Sequence, residues 1–309
     1  MKWLNVLLAL ALAVLVGCSK QSSSEPKRSG GKIQVVTTTM MVSDLVREIG
    51  GDKVEIQGLM GPRVDPHLHK VLASDIAKLQ GADVIFYNGL VLEGKMQNVF
   101  AKLMATKKYV YAVTEAIPQD RLMEPPEFSG HYDPHVWFDV PLWAKCVDTV
   151  VKGLSEFAPQ HKEYFEKQGK VTQSKMLTLH QWAVKRASEL PMEKRILVTS
   201  HDAFNYFGRA YGFRVLGLQG MSTAEEANTA STLNMIEFIK TNNVKAVFVE
   251  SSVPQQAIRR TSQDAGMNIR GELFSDAMAT PGKMENGYDL GTYEGMIKHN
   301  LNTIVEALR

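Results

Sequence analysis

QHKEYFEKQGKVTQSKMLTLHQWAVKRASEL, residues 160–190, contains no proline and a single glycine, Gly169. Pro159 stands just before it and suits the first position of a helix, where its missing N–H is not needed. Tyr164, Phe165, Val171, Leu177 and Trp182 supply apolar side chains along the run. At 1.5 Å per residue such a run makes a rod of ~45 Å. A single small domain needs no strut of that length. A rigid rod joining two lobes explains it better than a flexible linker would.

On both sides of the rod, strands alternate with helices. Upstream, β-branched and aromatic runs predict strands at Ile33–Thr39, Val54–Met60, Asp83–Asn88 and Tyr109–Val113. Helical patterns lie between them at Met41–Ile49, stopped by Gly50-Gly51, at Ser74–Gln80 with Ser74 as N-cap, and at Met96–Met104. Downstream, short strands are expected at Arg195–Ser200, Arg214–Leu218, Ala246–Glu250 and Glu272–Ser275, with a helix at Thr229–Thr241. Such alternation argues for parallel sheets flanked by helices. The chain divides into two α/β units of similar size, 33–158 and 191–309, joined by 159–190.

The totals agree with a globular protein of two domains. The 309 residues are 44% apolar and 22% charged, and the 35 basic side chains nearly balance 33 acidic ones. No basic block offers a footprint for nucleic acid. The two cysteines, Cys18 and Cys146, make no disulfide framework and exclude a thiolate zinc site. Any metal must therefore rely on imidazole and carboxylate. Cys146, in the apolar run LWAKCVDTVV, reads as a core thiol.

The eight histidines are not evenly spread. Asp-Pro-His occurs twice, as Asp65-Pro66-His67 and Asp133-Pro134-His135. Proline stiffens each turn, so the imidazole that follows can be aimed with little entropy left to lose. Asp65 and Asp133 read as turn formers. His201 lies just past a strand in VTSHDAF, and Asp276 likewise in ELFSDAM. In open α/β sheets ligands bind at those strand ends. Three imidazoles and one carboxylate fill a tetrahedral shell, or a five-coordinate one if the carboxylate is bidentate. Either closes the site with protein atoms, which favours binding over hydrolysis. His161, His180 and His299 lie on helices and read as structural. His69 and His131, beside the two turns, read as structural or as outer metal-handling residues.

The segments VDPHLH, DPHVWFD, VTSHDAF and ELFSDAM, in this order around a long central helix, resemble the solute-binding lipoproteins of zinc/manganese-type ABC importers. The resemblance covers nearly all of the chain beyond its first residues. It implies an α/β fold of two lobes, each with a four-stranded parallel sheet, joined by one rigid helix, with the metal between the lobes. It implies His67, His135, His201 and Asp276 as ligands of one divalent cation, Zn2+ or Mn2+, with Fe2+ behind. Glu250, at a strand end, would orient a ligand His or Arg. Manganese-type relatives usually carry Glu in place of His201, while zinc-type relatives often have a long His- and acid-rich loop that this chain lacks between Pro118 and Asp133. The partners implied are a permease and its cytoplasmic ATPase; the chain has no Walker motif of its own.

The N-terminus fits the same picture. The apolar run Val6–Val16 is too short to span a membrane and suits a secretory signal, 1–17. Leu15-Val16-Gly17-Cys18 resembles a lipobox, which implies cleavage before Cys18 and lipidation of its thiol. Residues 18–32 read as a flexible tether to the extracytoplasmic face of a membrane. A metal-dependent surface adhesin and, more remotely, a secreted metallohydrolase are the alternatives; no HExxH occurs to support the second.

Overall fold

The computed structural model describes residues 31–106, 109–128 and 130–309. The expected signal, Cys18 and nearly all of the tether lie outside the described residues. The first half builds one parallel sheet from β1 (Ile33–Thr37), β2 (Val54–Gly58), β3 (Val84–Tyr87) and β4 (Val110–Ala112), in the order β2-β1-β3-β4. Three helices, α1 (Met40–Gly50), α2 (Ala73–Gly81) and α3 (Gln97–Thr106), follow β1, β2 and β3 respectively. The short α4 (Val140–Trp143) and α5 (Cys146–Phe157) complete this half. Ser74 does not cap α2, which begins one residue earlier. Asp75 does that work instead, its carboxylate accepting the Leu72 N–H at 3.0 Å.

A 3-10 turn at Pro159–His161 leads into α6 (Lys162–Ala187), 26 residues long. At 1.5 Å per residue that is a rod of ~39 Å. Gly169 lets α6 approach α5 closely, because a Cβ there would stand 2.7 Å from the Val151 side chain. The second half places four strands in parallel pairs: β5 (Ile196–His201), β6 (Arg214–Gln219), β7 (Val247–Glu250) and β8 (Ile269–Leu273). They are hydrogen-bonded as two parallel pairs, β5 with β6 and β7 with β8, and β5 runs beside β7. Helices α7 (Asn205–Tyr211), α8 (Thr229–Thr241) and α9 (Gln256–Asp264) connect them. A small hairpin, β9 (Met284–Glu285) with β10 (Tyr288–Asp289), precedes the final α10 (Tyr293–Leu308).

Successive strand residues face opposite sides of a sheet, and the packing shows it. Val35 and Phe248 point inward to a core that also holds Leu45, Val150, Phe165, Leu179 and Leu301. Val36 and Ile85 point outward, under Leu79 of α2 and Phe100 of α3. Val198, Val247 and Val249 do the same under Met235 of α8 and Ile258 of α9. The inner core is continuous from the first half through α6 to α10. Where the halves meet, the Phe138 and Phe204 rings stack at 4.4 Å, both fully buried. A core shared in this way resists hinge bending, because close-packed interiors yield little. Phe204→Ala is expected to lower folding stability by about 3–5 kcal/mol, read by denaturant unfolding.

Candidate metal centre

The carboxyl ends of the strands converge between the two halves. His67 lies in the loop after β2, and His135 in the long connection between β4 and α4. His201 is the last residue of β5, and Asp276 lies just beyond β8. One ligand atom from each of the four falls within 4.8 Å of every other. His67 is 6% exposed, Asp276 2%, and His135 and His201 not at all. The imidazole ring centres stand 5.3, 5.4 and 5.9 Å apart.

Nearest-neighbour distances are those of a coordination shell. His67 Nε2 is 3.3 Å from His135 Nε2, His135 Nε2 is 3.4 Å from Asp276 Oδ1, and His201 Nε2 is 3.2 Å from Asp276 Oδ2. Donors on a tetrahedron of ~2.1 Å bonds are ~3.4 Å apart. His201 Nε2 and both Asp276 oxygens are buried without a hydrogen-bond partner. They approach one another, yet none aims at another as donor to acceptor. Such desolvated lone pairs are costly unless something else fills the gap between them. The gap suits a divalent cation.

Two of the rings have their far side held, and the third histidine is held through its backbone. The two Asp-Pro-His copies use one device: Asp65 Oδ1 accepts the His67 N–H at 2.8 Å, and Asp133 Oδ1 accepts the His135 N–H at 2.9 Å. Asp133 Oδ1 also lies 2.8 Å from His135 Nδ1, which leaves Nε2 facing the centre. Glu250, the last residue of β7, grips His201 with both oxygens, one on its N–H at 2.8 Å and one at 2.5 Å from Nδ1. The expected orienting role of Glu250 therefore has a partner, and it is a histidine.

Several supports have no counterpart in the sequence reading. Trp137 donates its indole N–H to Ser275 O at 3.1 Å, which steadies the residue before Asp276. Ser252 Oγ accepts from the Asp276 N–H at 3.4 Å. Glu93, fully buried, accepts from the Thr38 hydroxyl and the Asn88 N–H, and Asn88 donates to Pro134 O at 3.1 Å, beside His135. Trp137 stands in the DPHVWFD segment and was the one legible in principle. The others are separated from the ligands by tens of residues.

Charge follows burial. Burial holds the His67 imidazole down at about 3, with the other two histidines adding to the effect against the pull of Asp276. It is neutral, as a ligand must be. Burial also pushes His201 down, but Glu250 and Asp276 outweigh it, and its pKa ends well above the usual value. Asp276 stays ionised, because the surrounding imidazoles overcome the burial that would raise it.

The remaining histidines lie outside the cluster. His69 pairs with Asp75 at 3.0 Å, and His299 lies against Glu285 and Glu272 O. His131 is exposed beside Phe128, His161 packs on Phe165, and His180 lies near Tyr211. Cys146 is buried and unpaired.

Glu250→Gln should weaken zinc binding by roughly 10–100-fold, because the neutral amide cannot fix the His201 tautomer or balance the cation. Competition against a chromophoric chelator measures it. Affinity within about twofold of wild type would show that Glu250 does not act through the ligand.

The chain matches the family described as zinc-uptake complex component A, periplasmic (ZnuA), over residues 35–307. It is 41% identical to the manganese-binding lipoprotein MntA of Bacillus subtilis over 304 residues, 97% of this chain and 96% of that one. It is 44% identical, with the same coverage, to the zinc-binding protein TroA of Treponema pallidum. The solved structure of that periplasmic protein superposes with a TM-score of 0.83 over 90% of this chain and 99% of its own. The Fe(III)-bound YtgA of Chlamydia trachomatis, 27% identical, superposes at 0.78 over 90% of this chain and 98% of its own. The chain belongs to the ZnuA family of periplasmic metal-binding components.

Proposed function

We propose that this protein is the extracytoplasmic receptor of an ABC importer, capturing one Zn2+ or Mn2+ ion with His67, His135, His201 and Asp276 and handing it to a membrane permease. The observation that carries this reading is the buried cluster of three imidazoles and a carboxylate in which His201 Nε2 and both Asp276 oxygens lack hydrogen-bond partners. The relatives named as zinc- and manganese-binding proteins support it. Three nitrogens suit zinc, and a carboxylate able to offer two oxygens accommodates a harder ion such as manganese. Fe2+ is the third candidate.

Capture needs no bond to be made or broken in a substrate. The cation enters past His67, the most exposed ligand, and takes the lone pairs of the imidazoles and of Asp276. A proton on His201 has to leave first, because it holds the same lone pair. The shared core supports a receptor whose halves move little, so delivery requires the permease to displace ligand-bearing loops. The four side chains close the shell, and Glu250 has both oxygens engaged by His201. That arrangement offers neither the open coordination position nor the free general base a hydrolase uses, so we read the chain as a carrier of its ion and not as an enzyme.

Metal analysis of protein purified under defined supply is expected to give one equivalent per chain. His201→Ala should remove it or weaken it by several orders of magnitude, and unchanged stoichiometry and affinity would refute the ligand set. Because the carboxylates of Glu250 and Asp276 raise the pKa of His201, zinc binding should release a proton below that raised pKa, and affinity should rise with pH across that range. Calorimetry in buffers of different ionisation enthalpy counts that proton.

We also propose that Cys18 is lipidated and anchors the chain, as the names of the lipoprotein relatives suggest. More than one acyl chain makes such anchoring stable. Cys18→Ala is expected to shift the protein from the detergent phase to the aqueous phase on phase partition.

A further inference from the structure

Both Asp-Pro-His turns are tied to the opposite half of the molecule by the second oxygen of their aspartate. Asp133 Oδ2 accepts from Asn205 Nδ2 at 3.3 Å. Asp65 Oδ2 accepts the Thr223 hydroxyl at 2.6 Å, across 158 residues. The two ties are not equivalent. Asp133 is fully buried and also holds the ring of His135. Asp65 holds His67 through its backbone N–H, so the placement of that turn depends more heavily on what Asp65 itself is bonded to.

The surroundings of Thr223 bear on the ion. A cavity of about 220 Å³ is lined by His67, Leu90, Phe128 and Pro134 on one side and by Met221, Ser222 and Ala224 on the other. Residues 221, 222 and 224 flank Thr223, so the same segment walls the space in front of His67 and holds the turn behind it. Thr223 is buried while its neighbour Ala224 is exposed, which places the hydroxyl on the inner side of the segment.

We infer that Thr223 is a positioning residue for His67: its hydroxyl, through Asp65, latches the His67 turn to the opposite lobe and slows escape of the ion. The inference rests on His67 being a ligand. A hydrogen bond to a carboxylate is among the stronger ones, and its loss leaves Asp65 Oδ2 poorly satisfied. The turn then relaxes, and the segment 221–224 loses its grip on the other half. Asp65-Pro66-His67 becomes the first ligand turn to open.

The test loads wild type, Thr223→Val, Thr223→Ser, His67→Ala and the double variant His67→Ala/Thr223→Val with Zn2+. Release to excess chromophoric chelator is followed by stopped flow, alongside equilibrium affinity. Thr223→Val keeps the shape and removes the hydroxyl; it is expected to release zinc about tenfold faster, equivalent to roughly 1.4 kcal/mol. Thr223→Ser should restore wild-type release. In the His67→Ala background the valine effect should shrink to about twofold or less, because coupled residues are non-additive. Thr223→Val at the wild-type rate overturns the latch, as does equal acceleration in both backgrounds, which would mark Thr223 as acting on the fold alone. A wild-type chain that takes up no zinc, or His67→Ala with wild-type affinity, overturns the ligand assignment itself.

Discussion

Three imidazole nitrogens and a carboxylate share a buried space, and they are not hydrogen-bonded into a self-sufficient network. Left to themselves these groups would separate or pick up partners, because buried, unpaired polar atoms are costly. They stay together because the rest of the chain holds them. Glu250 and Asp133 pin two rings from behind, Trp137 and Ser252 steady the loop of Asp276, and both Asp-Pro-His turns are braced across the gap. The preorganisation is the source of affinity: the cost of assembling the ligands is met in folding, before the ion arrives.

That arrangement demands a stiff body. The inner core runs without interruption from the first sheet through α6 and into α10, and aromatic residues from both halves interlock at Phe138 and Phe204. Tyr293 reinforces the junction, donating its hydroxyl to Trp137 O at 2.6 Å and its N–H to Asp44 at 2.9 Å. A partly buried salt bridge crosses it too, Arg209 with Asp139 at 3.0 Å. The loops at the strand ends lie outside this packed body. Those loops carry His67 and Asp276, and their displacement is what delivery of the ion requires.

The two histidines at the extremes of charge have different tasks. His67 is kept neutral by burial and stands nearest the surface, ready to bind without losing a proton. His201 sits between two carboxylates and favours its proton in the free protein. On the proposed reading, the ion meets one histidine that is already neutral and one that must exchange a proton for it. Glu250 holds His201 Nδ1 on the side away from the cluster, so Nε2 is the nitrogen left to exchange.

Most of the fold and all four residues of the buried cluster were legible in the sequence. The proline-free run announced α6, the β-branched runs announced the strands, and the repeated Asp-Pro-His placed two imidazoles in stiff turns. These are local signals, because periodicity and φ restriction act over a few residues. The cap of α2 was misplaced onto Ser74 because a capping carboxylate can reach back from the third helical position as readily as a hydroxyl reaches forward. The bonding of the second half's strands as two pairs, and the supports supplied by Glu93, Asn88, Asn205, Thr223 and Ser252, had no local mark. Sequence by itself determined which side chains can bind a metal and which turns aim them. Only the tertiary structure decided how far apart they stand, which protons they keep and what braces them, because those depend on contacts between residues as much as 158 positions apart.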